Sequence, residues 1–179
     1  MQKDVLVEFD MIYTPLTKLA MKTAFDAHNN VQEEWKITDK AGVPYIFHPI
    51  HVAYQMETED EICVALLHDV VEDTDVSLND LRIKGFPERI INSLKLLTKE
   101  KNDSKSIGKD AKRKEYIDYI KNLKASGDNV VIKVKLADLR HNSDRSRIDE
   151  HSLNDEDRER FEELFSKYEE AIWILSNEG

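Results

Sequence analysis

Apolar residues recur at every third or fourth position along most of the chain, the spacing that places them on one face of an α-helix. Ser77 and Asp80 are spaced as in a capping box, which predicts a short helix that ends at Gly85. The spacing predicts further helices over residues 16–30, from Pro49 onward, over 60–73 with Asp60 as its cap, from Pro87 to 99, and over 155–177. The pattern therefore predicts a chain built mainly of helices.

One segment departs from the helical spacing. The run "NVVIKVKLAD", residues 129–138, begins with alternating β-branched residues. Such alternation is typical of a strand. The local pattern by itself therefore favours a strand at this point.

Composition sets limits on the partners of the chain. Its 179 residues suit one domain with a substantial core, and hydrophobic residues make up 40% of them. Because acidic residues outnumber basic ones, the formal net charge is −10. We therefore expect no general attraction to nucleic acid or to an anionic membrane. An anionic ligand would have to meet local positive charge.

The single cysteine, Cys63, lies among apolar residues and has no second cysteine to pair with. This usage fits a reducing compartment, and the expected role of Cys63 is packing. The N-terminal residues mix charges with apolar side chains, and no apolar run reaches the length of a membrane span. These observations predict a cytoplasmic protein.

The segment "LLHDVVEDT" places His68, Asp69, Glu72 and Asp73 directly after an apolar run. On a helix these groups would crowd one end, where carboxylates repel one another and an imidazole can donate or bind metal. A divalent cation would stabilise such a cluster. The alternative is an ordinary helix end with exposed acids.

Two further ionisable residues have apolar flanks, His48 in "YIFHPIHVA" and Asp138 in "VKLADLRHN". Buried ionisable groups need partners. Together with His68 and Asp69 they would form a mixed nitrogen and oxygen site suited to Mn²⁺, Zn²⁺ or Fe²⁺. His51 fits an ordinary hydrogen-bonded core histidine.

The three motifs "FHP", "LLHDVVEDT" and "KLADLRHN" resemble those of the HD-domain phosphohydrolases. They are most similar to the hydrolase domain of the Rel/Spo stringent-response enzymes and to small alarmone hydrolases, over about Ala24 to Asn142. The resemblance implies an all-α HD-domain helical bundle, a single domain over 1–179 with its core at about 16–145 and a C-terminal packing helix at about 155–177. It also makes 129–142 a helix, against the local pattern.

The resemblance further implies a metal-dependent hydrolysis of guanosine-3′,5′-bis(diphosphate) at its 3′-diphosphate, with release of pyrophosphate. The metal, commonly Mn²⁺ in the family, would be held by His48, His68, Asp69 and Asp138, while Glu72 and Asp73 would activate water. Lys40, Arg140 and Asn142 are the candidate substrate-binding residues. The expected partner is a small nucleotide, and a homo-oligomer is left open.

The chain also departs from the family pattern before "VPYI". The segment "AHNNVQEEWKITDKAG" is longer than the family's and lacks its arginine, which Lys40 or Lys36 would replace. The arginine of the last motif is shifted to position 140. Two alternatives therefore remain: a hydrolase of the same fold acting on another nucleotide or phosphate ester, and a non-catalytic nucleotide sensor.

Overall fold

The computed structural model describes residues 12–29, 38, 42–99, 108–148 and 153–177. Within these ranges the chain forms nine α-helices, and a 3₁₀ turn at Arg145–Arg147 follows the eighth. They are α1 (Pro15–Asn29), α2 (Phe47–Ala53), α3 (Glu59–Leu67), α4 (Val70–Asp73), α5 (Leu78–Lys84), α6 (Glu88–Leu97), α7 (Lys109–Ala125), α8 (Asn129–Asn142) and α9 (Asp155–Ser176). The only β-type pairing among the described residues is an isolated bridge between Thr38 and Pro44. The all-α fold is confirmed.

The helix predicted over 60–73 is divided in two, so that prediction was wrong in its continuity. α3 begins after Thr58, whose side chain accepts a hydrogen bond from the backbone NH of Glu61. The Glu61 carboxylate accepts in return from the Thr58 backbone, which completes a capping box and displaces Asp60 from the predicted capping role. After Leu67 the chain turns through His68 and Asp69 before α4 begins.

α3 lies at the centre of the molecule. Six consecutive residues, 62–67, are buried, and the helix packs against α1, α2, α6 and α8. A helix that is surrounded in this way is apolar on every side. This explains the unbroken apolar run "ICVALL" and places the turn that follows it inside the protein.

The segment 129–142 is helical, as the family resemblance implied, and the strand expected from its local pattern was wrong. Asp128 caps α8 by accepting a hydrogen bond from the backbone NH of Val131 at 3.1 Å. Val131, Val134, Asp138 and His141 are buried at intervals of three and four residues. α8 packs against five other helices, α2, α3, α6, α7 and α9, and this tertiary packing overrides the weak helix propensity of its β-branched residues.

The remaining predicted boundaries hold with small shifts. α2 begins at Phe47, so that Pro49 lies in its first turn. The predicted capping box of Ser77 and Asp80 is present at the start of α5, and Gly85 ends that helix with a φ of 101°.

Cys63 is buried, as expected. None of the helices in the described ranges is long and apolar enough to cross a membrane.

Candidate metal centre and active site

The structure brings the four predicted metal ligands together from three parts of the fold. His48 lies on α2, His68 and Asp69 lie at the turn between α3 and α4, and Asp138 lies on α8. The Nε2 atom of His48 is 3.3 Å from Oδ1 of Asp138 and 3.3 Å from Nε2 of His68. The Nε2 atom of His68 is 3.1 Å from Oδ2 of Asp69. Both histidines and Asp138 are buried, and Asp69 is partly buried.

The donor atoms of this cluster fit a divalent cation. His68 has its Nδ1 atom 2.6 Å from the carbonyl oxygen of Ala65. Because a carbonyl can only accept, Nδ1 carries a proton, and Nε2 is the nitrogen free to bind a cation. His48, His68 and Asp69 each offer one ligand atom, and these atoms lie within 4.8 Å of one another. Imidazole nitrogen with carboxylate oxygen is a donor set typical of first-row divalent metals.

The electrostatics of the cluster reflect its buried charges. Burial lowers the pKa of His48, but the hydrogen bonds that its ring donates to Asp138 and Asp69, together with the negative charges of these two carboxylates, outweigh burial and raise that pKa to about 9. Burial raises the pKa of Asp138, but the ammonium of Lys135 and the neighbouring histidines hold it well below its ordinary value. Lys135 Nζ lies 2.6 Å from Oδ2 of Asp138. Asp138 is therefore a carboxylate at neutral pH.

The two acids predicted to handle water, Glu72 and Asp73, lie on α4 beside the cluster. Oε1 of Glu72 accepts a hydrogen bond from the backbone NH of Lys99 at 2.6 Å, which fixes this carboxylate. The hydroxyl of Tyr45 donates to Oδ2 of Asp69 and lies 3.4 Å from Oδ2 of Asp73. Desolvation and the charges of Asp69 and Glu72 raise the pKa of Asp73 to about 6. Tyr45 thus connects a predicted ligand to a predicted base.

Of the predicted substrate-binding residues that the structure describes, Asn142 contacts the cluster and Arg140 lies away from it. Nδ2 of Asn142 donates to Oδ1 of Asp138, so this amide belongs to the cluster. Arg140 is exposed on α8, and two helical positions separate it from Asp138 by about 200° around the axis. Lys36 and Lys40 lie outside the described residues.

Sequence reasoning missed three residues that contact the predicted ligands: Tyr45, Lys135 and His141. Lys135 lies three residues before Asp138 on α8, a separation at which side chains meet on a helix, whereas Tyr45 precedes α2 and no local spacing pointed to it. His141 has its Nδ1 atom 2.7 Å from Nδ1 of His48. Burial, His48 and Arg147 lower the pKa of His141 to about 4, so its ring is neutral.

Lysine and tyrosine side chains form a basic aromatic cluster beside Asp138, made up of Lys99, Lys135, Lys167, Tyr116 and Tyr119. The Nζ atom of Lys99 is 4.7 Å from the ring centroid of Tyr116 and 5.0 Å from that of Tyr119. The Nζ atom of Lys167 is 4.5 Å from the Tyr116 centroid. This local positive charge occurs in a chain of formal charge −10.

Named relatives support the resemblance that the motifs indicated, although no family model matches the chain. The chain is 32% identical over 122 residues to the mouse guanosine-3′,5′-bis(diphosphate) 3′-pyrophosphohydrolase MESH1, covering 65% of this chain and 64% of that protein. It is 32% identical over 130 residues to the bifunctional (p)ppGpp synthase/hydrolase SpoT of Escherichia coli K12, covering 69% of this chain and 17% of that protein. The chain thus spans less than two thirds of the length of either relative.

A solved structure gives the same picture of the fold. It is that of a metazoan ortholog of SpoT, a protein that hydrolyzes ppGpp and plays a role in starvation responses, and it matches with a TM-score of 0.69 at 23% identity. The match covers 93% of this chain and 88% of that one. The resemblance of this chain to the Rel/Spo-type hydrolases, predicted from its three motifs, is therefore confirmed by named relatives and by a shared helical fold.

Proposed function

We propose that this chain is a metal-dependent guanosine-3′,5′-bis(diphosphate) 3′-pyrophosphohydrolase that releases pyrophosphate. The observation that carries the proposal is the buried convergence of His48, His68, Asp69 and Asp138. These residues come from the three motifs that resemble the Rel/Spo hydrolases. Two named relatives of this activity, each 32% identical to the chain, add support.

In this proposal His48, His68, Asp69 and Asp138 hold one divalent ion, for which we favour Mn²⁺. The ion, when bound, would lower the pKa of a coordinated water and stabilise charge on a phosphoryl oxygen. Asp69 is oriented by the hydroxyl of Tyr45, and Asp138 by the ammonium of Lys135. Such supporting contacts hold ligating side chains in position.

Glu72 and Asp73 are the proposed bases. Glu72 is held by the Lys99 backbone NH, which leaves its second oxygen for the attacking water. Water would attack the phosphorus bonded to the 3′-oxygen, and the bond between them would break. A proton leaves the water for a carboxylate, and the 3′-oxygen gains a proton as it becomes a hydroxyl. The products are a guanosine nucleotide and pyrophosphate.

The basic aromatic cluster supports an anionic substrate. Lys99 and Lys167 place two ammonium groups within 5 Å of the Tyr116 ring, on the Asp138 side of the molecule. A diphosphate group would be attracted to these charges despite the negative net charge of the chain. Lys40 and Asn142 remain our proposed substrate contacts from the sequence, and Arg140, which lies about 200° around α8 from Asp138, is the weaker candidate. We also keep the cytoplasm as the proposed location, because the single thiol, Cys63, is buried and free.

A second candidate function is the hydrolysis of another nucleotide on the same fold. The observation that favours it is the segment before "VPYI", which is longer than in the Rel/Spo pattern and lacks its arginine. A guanidinium can stack on a base and donate two parallel hydrogen bonds, and an ammonium does neither. The residues therefore support hydrolysis of a phosphate ester more strongly than they support recognition of guanine.

The test is an assay of the purified chain with Mn²⁺ against guanosine 3′,5′-bis(diphosphate), other 3′-phosphorylated nucleotides and nucleoside monophosphates. Pyrophosphate and orthophosphate are measured separately. Pyrophosphate release that requires Mn²⁺ and disappears in His68→Ala supports the proposal. Orthophosphate release from a monophosphate would favour the second candidate, and binding without any hydrolysis would favour a sensor.

A further inference from the structure

His141 lies against the side of His48 that faces away from the candidate metal centre. The two Nδ1 atoms are 2.7 Å apart, which is a hydrogen-bond distance between two ring nitrogens. The 3₁₀ turn after α8 brings Arg147 to the same atom, with Nη1 of Arg147 3.1 Å from Nδ1 of His141. The same Nη1 atom donates to the His141 carbonyl oxygen at 2.9 Å, which holds the guanidinium in place.

These contacts decide where the protons lie. A guanidinium has only donors, so Nδ1 of His141 must accept from Arg147 and carries no proton itself. The short contact between the two Nδ1 atoms then requires that His48 be the donor. When Nδ1 of His48 holds its proton in this bond, Nε2, which donates to Asp138 in the metal-free protein, is the nitrogen that can give up its proton and present a lone pair to a cation.

We propose that His141, oriented by Arg147, is a positioning residue that fixes the tautomer of His48 and thereby aims its Nε2 lone pair at the metal centre. The inference rests on the proposed function, in that it takes His48 to be a metal ligand. In metal-bound histidines, the N–H of the ring nitrogen that does not bind the metal commonly donates a hydrogen bond to a carboxylate, a carbonyl or water. Here a neutral histidine takes the place of that acceptor.

The experiment compares Mn²⁺ binding by calorimetry in three variants of the full chain. His141→Phe keeps a planar ring but removes the acceptor. His141→Asn places an amide oxygen near the position of Nδ1 and retains the acceptor. His51→Phe is the matched control. The His51 ring lies against that of His141, with the centroids 4.2 Å apart and the planes tilted by 30°, and its replacement leaves every hydrogen bond described above intact.

We expect His141→Phe to weaken Mn²⁺ binding by about 10- to 100-fold, the usual effect of losing such a supporting contact. His141→Asn and His51→Phe should bind close to wild type. A purely structural role would instead lower the melting temperature of metal-free His141→Phe and leave its Mn²⁺ affinity unchanged. Wild-type affinity in His141→Phe, or equal losses in the Phe and Asn variants, would overturn the inference.

Two further measurements separate this inference from the proposed function. If His48→Ala binds Mn²⁺ as wild type does, His48 is not a ligand, and both proposals lose their basis. If His48→Ala loses Mn²⁺ but His141→Phe does not, only the present inference fails. Ring nitrogen shifts of the wild-type protein loaded with Zn²⁺ need no variant: a proton on Nδ1 of His48 is expected, and a proton on Nδ1 of His141 would refute the assignment.

Discussion

Replacing Lys135 by methionine is expected to destabilise the metal-free protein. The Lys135 ammonium lies 2.6 Å from the Asp138 carboxylate, and the two side chains are only 13% and 5% exposed. Removing one partner of a buried ion pair typically costs about 3–5 kcal/mol, because the other charge is left uncompensated. Asp138 keeps contacts with His48 and Asn142, so we expect the lower end, about 3 kcal/mol, or roughly 6–12 °C in melting temperature for a chain of this length.

The same substitution should make stability depend more strongly on a divalent cation. A cation bound beside Asp138 would supply positive charge that Lys135 no longer provides. Mn²⁺ should therefore raise the melting temperature of Lys135→Met by more than it raises that of wild type, since the stabilisation by a ligand of the folded state grows with the logarithm of its concentration relative to Kd. Thermal unfolding followed by circular dichroism, in chelator and in Mn²⁺, measures both effects.

Lys133→Met is the matched control. Lys133 lies two positions earlier on α8 and pairs with Glu57 at 2.8 Å and Glu61 at 3.1 Å, but its side chain is 35% exposed. Ion pairs open to solvent contribute about 1 kcal/mol or less. Equal losses in the two variants would refute the buried charge on Asp138. If Mn²⁺ raises the melting temperature of Lys135→Met no more than that of wild type, Asp138 does not interact with the cation.

Three other outcomes are expected. Glu72→Gln keeps the oxygen that accepts from Lys99 but loses the base, so it should lower kcat by roughly 100-fold or more at unchanged metal content; wild-type turnover would leave Asp73 as the base. In the folded state the pKa of Asp73 rises from about 4 to about 6, so folding stability is lost as the pH rises through that interval. Asp73→Asn should therefore raise the melting temperature of the metal-free protein at pH 8 but not at pH 4. Lys40→Ala should raise KM for guanosine 3′,5′-bis(diphosphate) with less effect on kcat, and Lys40→Arg should retain affinity; two variants that match wild type would exclude Lys40 as a nucleotide contact.

The helical periodicity predicted most of the fold because it is a local property of the chain. α1 and α9 follow the predicted spans within one or two residues, and the capping box at Ser77 is present. The strand expected over 129–138 shows the limit of local reasoning. β-branched residues disfavour a helix only slightly. The packing of α8 against five other helices outweighs this preference, and such packing cannot be predicted from a short stretch of sequence.

The candidate ligands could also be predicted, since each lies in a short motif with apolar flanks. Their supporting partners could not. Lys135 looks like one of many surface lysines until its pairing with Asp138 is seen, and Tyr45 looks like a loop tyrosine. His141 is separated from His48 by 93 positions in the chain, and only the packing of α2 on α8 brings the two rings together.

The turn between α3 and α4 carries two of the four candidate ligands, His68 and Asp69. On a helix the side chains of adjacent residues point about 100° apart. Although His68 and Asp69 keep φ and ψ values in the right-handed helical region, Nε2 of His68 comes within 3.1 Å of Oδ2 of Asp69. The Nδ1–H of His68 donates to the carbonyl oxygen of Ala65. The end of α3, which the helical periodicity did not predict, therefore supplies two neighbouring residues as candidate ligands of one ion.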